Sequence, residues 1–213
     1  MSKRLFDVVG AALGLLLCLP LLLIIGLWLW WEGDGPVLFR QTRVGRGGVL
    51  FRLAKFRTMV PPTHGDKDIG ITMTGHPRLR RASGRFLRKT KLDELPQLWN
   101  VLRGDMSLVG PRPELEKYVA LYSQAEREEV LSVRPGMTDR ASLQFSDEQS
   151  LLGAGEDPEE IYARHILPAK IALYRDYVRN HTIWIDIGLI LRTVAALCVP
   201  RLRDRWRCGP VRK

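Results

Sequence analysis

The hydrophobic pattern begins with its longest apolar run. Residues 8–31 carry no charged side chain, and about 20 apolar residues suffice to cross a bilayer as a helix. Trp28, Trp30 and Trp31 close the run as interface anchors do. Pro20 lies near its middle, where a helix loses one hydrogen bond and kinks, and Gly10, Gly14 and Gly26 add weak points. Cations stand on both sides, Lys3 and Arg4 before, Arg40, Arg43 and Arg46 after, and both flanks favour the cytoplasm. A bent helix that enters and leaves on one face satisfies both flanks; a straight single-pass anchor with a tolerated proline is the alternative. The run is too long for a secretory signal, and no A-x-A-like cleavage site follows it.

After the turn-rich EGDGP at residues 32–36, apolar Val37, Phe39, Val49, Phe51 and Leu53 alternate with polar or cationic residues. This predicts a small hairpin turning through Gly45, Gly47 and Gly48. That turn matches neither G-x-x-x-x-G-K-[ST] nor G-x-G-x-x-G, so a hairpin turn is favoured over a phosphate cradle. Residues 60–75 read as loop, and 77–89 as a helix with Leu79, Ala82, Phe86 and Leu87 on one face. Pro96 constrains the next helix. With Asp93 as N-cap, Pro96 falls at N3, where its missing N–H costs little. Leu95, Leu98, Trp99 and Leu102 then form the buried stripe, and Gly104 ends the helix. Residues 114–133 read as helix. A Pro-Gly turn and short apolar alternation occupy 133–145, and 149–157 is loop. Residues 158–179 form a helix burying Ile161, His165, Ile166, Ala169, Ala172, Leu173 and Val178. Asp186 and Arg192 interrupt the last apolar stretch, 183–199, which predicts an amphipathic surface helix rather than a span. The tail, PRLRDRWRCGPVRK, is strongly basic and suits anionic headgroups. The fold class is α+β, mostly helical: a re-entrant membrane helix broken near Pro20 (1–32), a catalytic domain with a small β-hairpin (33–182), and a C-terminal amphipathic membrane-surface helix with its basic tail (183–213).

Composition adds constraints. The chain has 213 residues and a net charge of +10, enough for one domain with a core and a bias towards anionic partners. Cys18, Cys198 and Cys208 are scattered, and the four histidines show no metal-binding spacing, which argues against a disulfide framework or a zinc site. No nucleic-acid reading motif or aromatic platform accompanies the charge, so no nucleic acid is expected as partner.

The candidate chemistry lies in residues 87–114, LRKTKLDELPQLWNVLRGDMSLVGPRPE. Asp93 and Glu94 follow Arg85, Arg88, Lys89 and Lys91. Two adjacent anions repel, so a divalent cation beside them is physically attractive; ordinary helix capping explains the same residues. In G-P-R-P, two prolines bracket Arg112, which suits bidentate phosphate binding or a buried salt bridge.

That segment, with KRLFDVVGAALGLLLCLPLLL, FRQTRVGRGGVLFRLAKFRTM, RPGMT and ILPAK, resembles the monotopic phosphoglycosyl transferases, the bacterial sugar transferase family. The resemblance covers most of the chain. It implies transfer of a sugar 1-phosphate from a UDP-sugar to polyprenyl phosphate, with Mg²⁺ as cofactor, yielding polyprenyl diphosphate sugar and UMP. In ping-pong order, Asp93 is the nucleophile that carries the phosphosugar, and Glu94 supports the metal and the chemistry. Lys55, Arg57, Arg88 and Arg112 bind substrate, and Pro20 breaks the membrane helix; the family's usual serine before it is Leu19 here. The reaction would be the first membrane step of a glycoconjugate pathway, on the cytosolic face of the inner membrane, with membrane lipids as partners and a homo-oligomer compatible with it. After RPGMT the chain reads DRASLQFSDE, away from the family's commonest pattern. With no further transmembrane bundle before Met1, the minimal catalytic form is expected. A non-catalytic, membrane-tethered scaffold is the alternative.

Overall fold

A computed structural model describes residues 3–33, 35–60, 82–145 and 157–199. The expected loops at 60–75 and 149–157, the start of the helix at 77–89 and the basic tail lie almost wholly outside these residues.

The apolar run forms one helix, α1 (Lys3–Glu32), continuous through Pro20. Polar groups tie its first turns to the domain. Arg4 donates to the carbonyls of Val101 and Leu102 at 2.6 and 2.8 Å. The buried Asp7 carboxylate accepts from Ser107 Oγ at 2.9 Å and from the Leu108 N–H at 3.1 Å. Lys3 reaches Asp186 at 2.7 Å. Further along, Gly10 and Gly14 lie against Leu108 and Leu98, and Ala11 is buried with Leu53, Val101 and Met106. At the other end Ile25 and Leu29 pack with Phe56 and Leu87, and Ser83 Oγ donates to Glu32 at 2.6 Å. Between these anchorages Leu16, Leu17, Leu23 and Ile24 are exposed, as lipid-facing residues are.

The hairpin forms as the alternation predicts. β1 (Leu38–Val44) and β2 (Leu50–Phe56) pair antiparallel, Leu38 opposite Phe56 and Val44 opposite Leu50. Asn100 holds the free edge of β2: its Oδ1 accepts from the Ala54 N–H and its Nδ2 donates to the Arg52 carbonyl, both at 2.9 Å. α2 (Ala82–Thr90) then leads into a 3₁₀ turn, Leu92–Glu94, and α3 (Gln97–Arg103).

Four expectations change here. Asp93 is not the cap of α3. The helix starts after Pro96, and Gln97, Leu98, Asn100 and Val101 are buried while Trp99 is 57% exposed. With Pro96 just outside the helix its absent N–H breaks no bond, and the inward face shifts towards the residues that meet β2. Gly104 does end α3, at φ 95. The helix expected over 114–133 is two short helices, α4 (Glu116–Val119) and α5 (Gln124–Val130). Ser123 and Glu126 form a capping box that starts the second, and the extended backbone such a cap requires interrupts the run. The stretch 133–145 contains strand β4 (Gly136–Thr138) and then helix α6 (Arg140–Gln144), capped by Asp139 through the Ser142 N–H. β4 runs parallel to β3 (Ser107–Val109) in a second small sheet.

The helix expected over 158–179 runs as α7 (Pro158–Ile161), one π turn (Tyr162–Ile166) and α8 (Leu167–Asn180). Its buried face carries Tyr162, Lys170, Ile171, Tyr174 and Tyr177, while His165, Ala169 and Ala172 are exposed. The wide π turn slips the register, and buried Glu114 draws the polar tips inward: Tyr162 and Tyr174 donate to its Oε1 at 2.8 and 3.4 Å. α9 (Ile183–Cys198) docks through Asp186, Leu189 and Ala196 and exposes Trp184, Leu191, Val194 and Leu197, the two-faced helix that the pattern predicts.

Candidate functional site

Asp93 and Glu94 lie in the tight turn between α2 and α3, packed against β2. Lys91, just before, has φ 58 and ψ 14; among the described residues no other non-glycine has a positive φ. A left-handed lysine costs about 1–2 kcal/mol, and strain of this kind gathers at functional sites. Asp93 is 6% exposed, and its Oδ1 has no hydrogen-bond partner within the protein. Burial, and then the neighbouring Glu94 charge, push its carboxyl up to about 6, against the pull of Lys91, Lys55 and Arg88. It therefore remains mostly ionised at neutral pH while lacking a full set of partners, the condition of a reactive oxyanion.

Glu94 is held differently. Arg112 grips it with both arms, Nη2 to Oε1 at 2.7 Å and Nη1 to Oε2 at 3.2 Å. Burial acts to raise the Glu94 carboxyl, but Arg112, with Lys91 and Lys55, outweighs it and holds the group well below the usual range. Of the two readings of Arg112, the structure shows the salt bridge, a part-buried pair with Glu94.

The path of G-P-R-P depends on a backbone contact. Gly136 N–H donates to the Pro111 carbonyl at 2.9 Å, and Gly110 N–H to Thr138 at 3.1 Å. A Cβ on Gly136 would stand 2.1 Å from Gly110 N, and one on Gly110 would stand 2.6 Å from the Arg134 carbonyl. Only two glycines permit this approach, which joins G-P-R-P to RPGMT.

Lys55 and Arg88 complete the cationic rim. Burial, then Arg43 and Arg88, lower the Lys55 ammonium to about 8 despite Asp93 and Glu94. Burial likewise lowers Arg88, opposed by Asp93 and Glu94, and its Nε donates to Thr58 Oγ1 at 2.8 Å. Arg57 follows β2, its backbone N–H bonded to the Val37 carbonyl at 2.9 Å; it is not among the charges acting most strongly on Asp93. Asp93, Glu94, Arg88, Arg112 and Lys55 therefore share one site, and Arg57 follows directly on the strand that carries Lys55. Pro20 lies in α1, exposed.

Sequence reasoning missed Arg43, Thr58, Glu114 and the glycine pair. Arg43 donates to the Pro113 carbonyl at 3.1 Å and approaches Glu114 at 4.0 Å, fixing the far side of G-P-R-P. The alternation in β1 offered one signal: Arg43 and Lys55 both fall at inward positions of the hairpin, where cations are costly without a purpose.

Asp93 and Glu94 are the residues that could hold a divalent cation of the Mg²⁺ type. Asp93 offers a buried, unpartnered carboxylate oxygen. Among the described residues no cluster of three His, Cys, Asp or Glu forms, so substrate phosphates and water would supply the remaining ligands, as Mg²⁺ prefers. Glu94 keeps only the second lone pairs of its oxygens beyond Arg112.

Comparison with known proteins agrees with this geometry. The family model described as bacterial sugar transferase matches residues 1–200. The chain is 42% identical over 199 residues to the UDP-glucose:undecaprenyl-phosphate glucose-1-phosphate transferase of Caulobacter vibrioides, covering 92% of this chain and 70% of that protein. It is 33% identical to the exopolysaccharide production protein ExoY of Rhizobium meliloti, over 94% and 87% of the two chains. It is 37% identical to the UDP-glucose:undecaprenyl-phosphate glucose-1-phosphate transferase of Escherichia coli, over 90% of this chain and 39% of that protein. Several other curated relatives are likewise matched over less than half their length. A match along nearly the whole chain, through the segments that build the Asp93 site, has one consequence: this chain belongs to the bacterial sugar transferase family.

Proposed function

We propose that the protein transfers a sugar 1-phosphate from a UDP-sugar to polyprenyl phosphate, giving polyprenyl diphosphate sugar and UMP. The observation that carries this reading is the buried, unpartnered Asp93 oxygen inside a ring of cations. The names of the Caulobacter and Escherichia relatives, which specify glucose 1-phosphate transfer to undecaprenyl phosphate, support the substrate classes.

In this mechanism an Asp93 oxygen forms a bond to the β-phosphorus as the bond from that phosphorus to the UMP oxygen breaks. The electron pair departs with UMP. Because Asp93 attacks as the anion, it needs no general base. An oxygen of polyprenyl phosphate then bonds to the same phosphorus, and the acyl phosphate bond between the Asp93 oxygen and that phosphorus breaks, restoring the carboxylate. Arg112, fixed by Glu94, and Arg88, oriented by Thr58, meet the charge that grows on the phosphoryl oxygens. Lys55 adds charge from β2. A bound Mg²⁺ would supply charge neutralisation at the diphosphate and the leaving UMP, and Asp93 and Glu94 would hold it.

The membrane arrangement belongs to the same proposal. A straight α1 of 30 residues would part its ends by about 45 Å, and a spanning one would set them on opposite faces. Yet its first turn pairs with α3 and α9, and its last with α2. This supports a re-entrant helix bent at Pro20, with residues 33–182 on the cytosolic face of the inner membrane and residues 183–213 along its surface.

The full chain with Mg²⁺, polyprenyl phosphate and a panel of UDP-glucose, UDP-galactose and UDP-N-acetylgalactosamine should release UMP from at least one donor. A donor labelled at the β-phosphate should mark the wild type covalently and leave Asp93→Asn unmarked. Full activity in Asp93→Asn defeats the covalent route. Single-cysteine tags before and after α1 should react only from the cytoplasm; a tag before Lys3 labelled from outside defeats the re-entrant helix.

A further inference from the structure

A groove of about 690 Å³ opens between α1, the hairpin and α3. It lies where α1 passes Pro20, between the contacts at Ala11 and Gly14 and those at Ile25 and Leu29. The membrane helix lines it with Leu15, Leu22 and Leu23, and α3 contributes the exposed Trp99. The other elements add three arginines: Arg40 and Arg52 from the hairpin and Arg103 from α3.

The hairpin register makes the first two neighbours. Arg40 faces Ala54 and Thr42 faces Arg52, so the two arginines are diagonal on one face. Diagonal neighbours on one face are within reach of long side chains, and two guanidinium charges so placed repel. Neither guanidinium has a hydrogen-bond or ion-pair partner among the described residues, and Arg103 has Asp105 at 3.7 Å. An anion between them would offset the repulsion.

We propose that this groove binds one anionic phospholipid of the bilayer, its phosphate held by Arg40 and Arg52 and its acyl chains laid along Leu15, Leu22 and Trp99. Among the described residues α1 is the one helix long and apolar enough to cross a membrane, so a bilayer brings acyl chains to this gap. The occupant is a lipid that does not react. Strand alternation turns Leu38, Arg40, Thr42, Arg52 and Ala54 to the groove and Gln41, Arg43 and Lys55 to the opposite face, and it is the latter set that meets Glu114 and the Asp93 charges. A phosphate on Arg40 and Arg52 is on the far side of the hairpin from the nucleophile.

The experiment is native mass spectrometry of the full chain, delipidated in detergent and titrated with phosphatidylglycerol or with phosphatidylcholine of the same chains. The wild type should retain one phosphatidylglycerol about thirtyfold more tightly than phosphatidylcholine, as two arginines near an anionic headgroup predict. Arg40→Gln/Arg52→Gln should bind both lipids alike and keep the wild-type rate of UMP release. Arg127→Gln/Arg164→Gln, which removes the same charge from α5 and the π turn, should keep the preference. Gly26→Leu, which fills the groove, should lose both lipids. Equal binding by the wild type, or an unchanged preference in Arg40→Gln/Arg52→Gln, overturns the proposal. So does displacement of phosphatidylglycerol by one equivalent of polyprenyl phosphate, which gives the groove to the acceptor. Displacement by millimolar inorganic phosphate makes it a free-phosphate site and overturns it as well. The binding readout needs no turnover, so its failure is separate from failure of the proposed reaction.

Discussion

Replacing Asp93 by asparagine should abolish transfer and stabilise the fold, and the size of the second effect follows from the site. The carboxyl is 6% exposed, with its Oδ1 unpartnered, and its pKa rises from the ordinary 3.8 to about 6. A group that binds its proton more tightly when folded favours the folded state at low pH, and that advantage is lost as pH rises through the folded pKa. Above that value the buried anion costs up to about 3 kcal/mol, at 1.36 kcal/mol per tenfold change in proton affinity. About half of that cost remains at pH 5, and about a fifth near pH 4. The asparagine side chain is neutral throughout and escapes it. In chelator, where no cation relieves the wild type, Asp93→Asn should melt about 6 to 12 °C higher at pH 7.5, taking about 2 to 4 °C per kcal/mol for a chain of this size. The gain should shrink steadily towards pH 4.5, while UMP release at pH 7.5 falls at least about a thousandfold. Differential scanning fluorimetry in detergent at several pH values measures the first, and coupled nucleotide detection the second. A variant that melts lower than wild type at pH 7.5, or whose gain is the same at pH 4.5, refutes the argument that burial strains this carboxylate.

The remaining predictions concern the groups around it. The pH profile of kcat/KM should fall below about pH 6, where Asp93 takes up its proton, and above about pH 8, where Lys55 loses its own; Lys55→Arg should move only the alkaline limb, upwards. Arg112→Met leaves the half-buried Glu94 carboxylate without either of its two bonds and should destabilise the chain by about 2 kcal/mol. Adding Glu94→Gln should recover part of that, which urea unfolding of the single and double variants tests. Gly136→Ala drives a methyl into Gly110 N and should cost about 3 kcal/mol or more, with activity lost because the loop carrying Arg112 shifts; a wild-type unfolding midpoint would contradict the backbone contact.

The linear pattern determined the elements whose burial is one-sided and local. The apolar run became α1, the alternation over residues 37–53 became the hairpin, and the two-faced stretch 183–199 became α9, because periodicity alone decides which face leaves water. It also marked Asp93, Glu94 and Arg112 through charge and proline spacing. The tertiary structure decided what depends on distant partners. Asn100, Tyr162, Tyr174 and Tyr177 are buried and bonded to residues far along the chain, so their inward faces are invisible to a hydrophobic count. Pro96 tolerated a cap at Asp93, and the packing of the turn against β2 chose a 3₁₀ segment instead. The separation of roles between Asp93 and Glu94 is likewise tertiary. Arg112 reaches Glu94 across 18 residues, on a loop aligned by the contact of Gly110 with Gly136. Adjacent carboxylates are equivalent in a sequence; one becomes paired and the other keeps an unpartnered oxygen only when a third residue, placed by the fold, takes one and leaves the other.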